Sequence, residues 1–226
     1  MNGLTKIITD YSKEHIDKLN NWYSWREINE EKLPLGIKLP KGNQYIKNLS
    51  LKKQLNKYWR ETQDNKVRFE LIKYYISTWG GIHTNSEQSM MEYSILSATQ
   101  LIKLGKKGIA SWSKAIVIHD PEEYAIFDAR VAISLNCIQK IYKLYQPILF
   151  PVLPSRNKKV ALGNKLIRKI AKAESWTKAY DDTFYKQYLN ILRSVANELN
   201  SDISTIEMLL FAKAEELVDK TIPTKS

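Results

Sequence analysis

The chain has 226 residues, 43% hydrophobic and 26% charged, which excludes a disordered polypeptide and gives length enough to bury a core. Its 35 Lys and Arg against 24 Asp and Glu leave a net charge of +11. That excess suits polyanion partners, because each neutralised phosphate releases counterions, and equally serves a solubilising surface. A single cysteine, Cys137, excludes an internal disulfide and a cysteine-built metal cluster, and the scattered His15, His83 and His119 do not read as a metal site. No apolar run is as long as a membrane span, and Met1–Asp10 lacks the apolar core of a secretory signal, so the expectation is a cytoplasmic chain without a membrane partner.

In chain order, Ile16, Leu19, Trp22, Tyr23 and Ile28 recur at helical spacing and predict a helix from Ser12 to about Leu33. Lys32–Asn48, with two prolines and two glycines, reads as an irregular connection. Helices are predicted over Ser50–Glu61 and Lys66–Trp79, the second ended by Gly80, and a long one follows from Ser86 to Leu104. Gly105–Ala110 breaks that helix, and Ser111 is placed to cap the next, Trp112–His119. Asp128 is placed to cap a helix over Ala129–Tyr145, and Pro147–Lys159 is broken by prolines and ends in the basic loop Arg156-Asn157-Lys158-Lys159. Asn164–Ala173, Trp176–Asn200 and Asp202–Lys220 complete the helical pattern, with Ile203, Ile206, Leu209, Leu210, Ala214 and Leu217 as an apolar stripe. Glu207 within that stripe is either a buried polar anchor or a solvent-facing residue. No convincing strand pair is present, so the predicted fold class is all-α.

The most informative stretch is Leu104-Gly105-Lys106-Lys107-Gly108-Ile109-Ala110-Ser111-Trp112-Ser113-Lys114. One helix ends, small residues permit a tight turn, Ile109 plugs it, and a new helix begins. Backbone N–H groups at such a helix start point outward, where the helix dipole also favours anions. Lys106 and Lys107 add charge, so the turn fits a nucleic-acid phosphate; a plain helical corner with solvated lysines fits the same residues.

This stretch resembles the helix–hairpin–helix superfamily of DNA glycosylases, with Gly108-Ile109-Ala110 in place of the family's glycine–apolar–glycine hairpin. The family's aspartate, in an apolar–Asp–x–x–Val setting, is matched by Phe127-Asp128-Ala129-Arg130-Val131, twenty residues after Gly108. The similarity covers residues 93–136. It implies a two-lobed helical bundle as a single domain over 1–226, with a central lobe at 66–146 and a second lobe from 1–65 and 147–226. It also implies base excision, the flipping and removal of a damaged or modified base from duplex DNA, with no cofactor. Lyase-competent members place a lysine where this chain has Trp112, whereas alkylpurine-type members resemble it in carrying tryptophan there. Lys114 lies about half a turn away on the helix.

In that chemistry a carboxylate stabilises charge developing on the sugar and orients water, and Asp128 is the candidate; a cap for the following helix explains the same residue. Lys114 is the nucleophile if a Schiff base forms, and otherwise a solvated lysine. Trp112 and Trp79 are candidates for the base pocket, and both equally suit a helical core. Lys106, Lys107, Gly108, Ala110 and Ser111 are the candidate backbone contacts, joined by Arg130, Arg156 and Lys158. Arg130 suits a phosphate or a carboxylate. The competing readings are a non-catalytic nucleic-acid-binding helical protein and a helical assembly factor with a basic surface.

Overall fold

A computed structural model describes residues 3–25 and 27–222. Its helices are α1 (Gly3–Lys13), α2 (Leu19–Trp22), α3 (Gln44–Glu61), α4 (Asn65–Lys73), α5 (Glu87–Ile95), α6 (Ala98–Lys103), α7 (Ile109–His119), α8 (Ala129–Ile141), α9 (Lys158–Ala173), α10 (Phe184–Glu198), α11 (Ile203–Ala212) and α12 (Ala214–Thr221). The only strands among the described residues are β1 (Ile148–Leu149) and β2 (Thr177–Lys178), paired in parallel. The chain is therefore all-α, and no helix among the described residues is long and apolar enough to cross a membrane.

Two compact units divide the chain, Leu19–Ile126 and Met1–Lys18 with Phe127–Ser226. Their borders lie elsewhere than the 65/66 and 146/147 positions expected from the resemblance, because α3 packs with α2, α4 and α7, while α8 packs with α9, α11 and α12.

In the unit 19–126, α7 is buried on nearly every side and packs on α3, α4, α5 and α6. Leu51, Leu55, Leu71, Ile72, Leu101, Ile109 and Ile116 fill the space between them. Asn56 closes the C-terminal end of α7 by donating its Nδ2 to the carbonyls of Ile118 and His119, at 3.0 and 2.7 Å. One turn along α3, Trp59 stacks on His119 with ring centroids 4.3 Å apart, and the Arg68 guanidinium lies 4.8 Å from the other ring of the pair, that of Trp59. Burial, aided by the Arg68 charge, pushes the His119 imidazole down to about 4.

In the other unit, Phe127 meets Phe184 and Tyr188, each at 5.2 Å between ring centroids, above a core of Val131, Leu135, Ile167, Leu192, Leu209 and Leu217. At Gly163 the helices α9 and α12 approach so closely that an added Cβ would sit 2.4 Å from Val218 Cγ2. Only glycine permits that contact.

Several boundaries differ from the sequence expectation. Where one helix is predicted from Ser12 to Leu33, the chain has the end of α1, 3-10 turns at Ile16–Lys18 and Glu30–Lys32, and the four residues of α2, since the Asn20 carbonyl is taken by the side chain of Asn43, which also caps α3. The helix expected over Ser86–Leu104 is broken by a capping box: Ser97 Oγ accepts from the Gln100 amide at 3.3 Å and Gln100 Oε1 accepts from the Ser97 amide at 2.9 Å. Tyr74–Trp79 continues α4 as a π turn. The segment from Trp176 pairs as β2 before α10 begins at Phe184, and Lys213 separates α11 from α12.

Candidate functional site

The turn between α6 and α7 is built from the residues that the sequence singles out. Gly105 and Gly108 both have left-handed backbones, φ +58° and +68°, a conformation that costs a side chain about 1–2 kcal/mol. Gly108 precedes α7, so the helix starts three residues earlier than a Ser111 cap would set it. Ser111 is instead buried and accepts from Asn85 Nδ2 at 2.7 Å. Ile109 is buried beneath the turn, as a plug must be, and Lys106, Lys107 and Gly108 are exposed. No side chain caps α7. Within its first turn the amides of Ile109 and Ser111 donate to the carbonyls of Lys106 and Gly108, at 3.4 and 2.8 Å, so among the described residues the Ala110 amide is the one left to present at the positive end of the dipole, next to two lysines. Ala110 is half-buried at the second position of the helix, where its helical backbone has room for a Cβ.

Trp112 is fully buried and its indole N–H donates to the Gly105 carbonyl at 3.0 Å. It therefore braces the turn from inside and offers no ring face to solvent. Lys114 is also buried, with Nζ donating to the Ala110 carbonyl at 2.6 Å. Its stem lies against the end of the π turn, where a Cβ on Gly80 would sit 2.8 Å from Lys114 Cε. Trp79, half-buried, donates to Asn48 Oδ1 at 2.8 Å and stacks on Tyr75 with centroids 4.4 Å apart. Residues 79, 80 and 114 thus meet in one place, together with the buried face of α3. That face carries a buried cation, Lys52, which the sequence reading passed over. Its position between Leu51 and Leu55 on the apolar side of α3 was the available signal.

Asp128 belongs to the other unit, where it caps α8. Its Oδ1 accepts from the amides of Arg130 and Val131 at 2.8 and 3.1 Å, and no described residue donates to Oδ2. Arg130 takes a carboxylate: Nη1 meets Glu215 Oε1 at 2.9 Å, Nε donates to the Phe211 carbonyl at 3.1 Å, and the guanidinium lies 5.0 Å from the Phe211 ring centre. Glu207 is buried, at 3% exposure. Burial holds the Tyr188 phenol well above its usual range, reinforced by the charges of Glu207 and, less strongly, of Asp128. Tyr188 and Glu207 therefore share Asp128's neighbourhood, a grouping that joins three separate helices and has no sequence spacing. Arg156 and Lys158 are exposed on either side of Asn157, the cap of α9.

Among the described residues, no three His, Cys, Asp or Glu side chains are grouped so as to hold a metal ion. No protein-family model, curated protein or solved structure matches the chain.

Proposed function

We propose that this chain binds duplex DNA through a helix–hairpin–helix element at Gly105–Gly108 and acts as a DNA N-glycosylase of the base-excision type. The observation that carries the binding part is the uncapped start of α7 at a left-handed glycine, flanked by exposed Lys106 and Lys107. A phosphate accepts from the Ala110 amide there, and the lysines add long-range attraction.

The chemical part is supported by Asp128. Two amides fix Oδ1, which aims the carboxylate and leaves Oδ2 to face a sugar on which positive charge develops. The burial of Lys114, whose Nζ donates to the Ala110 carbonyl, favours hydrolysis by water over a Schiff base, because an amine enclosed by the fold is out of reach of a sugar. The fully buried Trp112 serves the hairpin and not the base pocket in this reading.

A non-catalytic DNA-binding protein is the second reading. It is favoured by the capping bonds of Asp128, which need no further role to account for that residue. Incubation with duplexes carrying oxidised, alkylated or deaminated bases separates the two. Abasic sites formed by the parent chain and absent with Asp128→Asn are the expected result. Duplex binding without abasic sites on any substrate selects the non-catalytic reading.

A further inference from the structure

Residues 156–172 hold seven Lys and Arg and no Asp or Glu, against a net charge of +11 for the whole chain. Most of that segment is α9, which is two-sided. Val160, Gly163, Asn164, Ile167 and Ala171 are buried, and the helix packs on α8 and α12. Lys158, Lys165, Arg168, Lys169 and Lys172 are all exposed. At 100° per residue these five fall within about a third of the helix circumference, and at 1.5 Å per residue the row is about 21 Å long. No ion pair is present at any of the five among the described residues, whereas neighbouring Lys159 is held by Asp219 at 2.7 Å.

We infer that the solvent face of α9 is a docking track for the phosphate backbone of duplex nucleic acid. The inference deepens the DNA-binding reading above and rests on it for the ligand class, sharing Lys158 with it but none of the hairpin residues. Charge complementarity selects the occupant. A duplex carries one charge per ~1.7 Å of axis counting both strands, so a stretch as long as this row carries about a dozen phosphates, part of them on the side that meets the helix. A membrane suits the helix poorly: its apolar side is already spent on α8 and α12, and Leu162, 53% exposed, is the sole large apolar side chain on the charged face. The track also starts at the corner that carries Asp128. Glu215 Oε1 accepts from both Arg130 Nη1, in the first turn of α8, and Asn157 Nδ2, the cap of α9, at 2.9 and 3.0 Å. Backbone held along α9 is thereby led towards the start of α8.

The test measures affinity for a fluorescein-labelled duplex of about 20 base pairs between about 50 and 200 mM salt. It compares the full chain with the triple variant Lys165→Ala, Lys169→Ala, Lys172→Ala, with the matching Arg triple, and with Lys106→Ala, Lys107→Ala. The substituted side chains are exposed, and circular dichroism and a thermal melt confirm folding. The Ala triple is expected to flatten the slope of log K against log salt by about 3 and to weaken binding at least tenfold, while the Arg triple keeps both. A duplex-binding parent whose slope the Ala triple leaves unchanged overturns the track and spares the hairpin. A slope lowered by the α9 triple but not by the Lys106 and Lys107 changes supports the track and removes the hairpin contact. Adsorption to phosphatidylserine vesicles, lost in the Ala triple, with no duplex binding by the parent, overturns the nucleic-acid assignment.

Discussion

The indole N–H of Trp112 donates to the carbonyl of Gly105 at 3.0 Å, so a side chain in the first turn of α7 ties down the turn from which that helix starts. Sequence spacing places the two residues seven apart, and their bond makes the turn a fixed object instead of a floppy link.

Trp112→Phe keeps most of the buried ring and deletes the N–H. The Gly105 carbonyl loses its partner, and unfolding in urea is expected to show a loss of about 1–3 kcal/mol. Equal stability of the variant and the parent would mean that the bond does not brace the turn.

Gly108 has φ +68°, and a Cβ there would meet Tyr93 Oη at 2.8 Å. The hydroxyl is the far end of a side chain that yields, so the backbone carries the cost. Gly108→Ala is expected to lose about 1–2 kcal/mol, and Tyr93→Phe does not restore it. Gly108→Asn loses less, because Asn tolerates the left-handed region. Equal losses for Ala and Asn would point to crowding instead.

His119 gives the stability a pH dependence of defined sign. Its folded value of about 4 lies below the 6.5 of an unfolded imidazole, so the unfolded chain takes up the proton first as pH falls. The stabilisation is complete above about 6.5 and drains away as pH falls towards 4, reaching ~3 kcal/mol. An NMR titration of the His119 imidazole should show a midpoint near 4, and urea unfolding of His119→Gln should show a flatter pH dependence between about 6.5 and 4.5. A midpoint near 6.5 contradicts the burial argument.

Lys114 predicts a negative result. With Nζ buried and bonded to the Ala110 carbonyl, borohydride treatment of the chain with an abasic duplex should trap no adduct. An adduct that forms with the parent and disappears in Lys114→Met would restore the Schiff-base route.

Where apolar spacing is strong and the breakers are glycine or proline, the elements were legible: α4, α7 and α8 lie close to where periodicity puts them, and Ile109 is the plug its position implies. The break between α5 and α6 was hidden because apolar spacing runs straight through it, although Ser97 and Gln100 carried a capping-box signal. β1 and β2 have two residues each, too few for any alternation to register. The site residues divide in the same way. Exposure of Lys106 and Lys107 follows from their place in a turn, and the Asp128 cap follows from local chemistry. Burial of Lys114 and Lys52, and the pairing of Arg130 with Glu215 across 85 residues, depend on which helices pack together. No local pattern encodes that.

The most direct measurement is the salt dependence of duplex binding by the full chain and by Lys106→Ala, Lys107→Ala. A backbone grip at Gly105–Gly108 predicts that the parent binds with a steep slope and that the double variant lowers its magnitude by about 2, one contact per lysine. Identical slopes and affinities for the two proteins would contradict it.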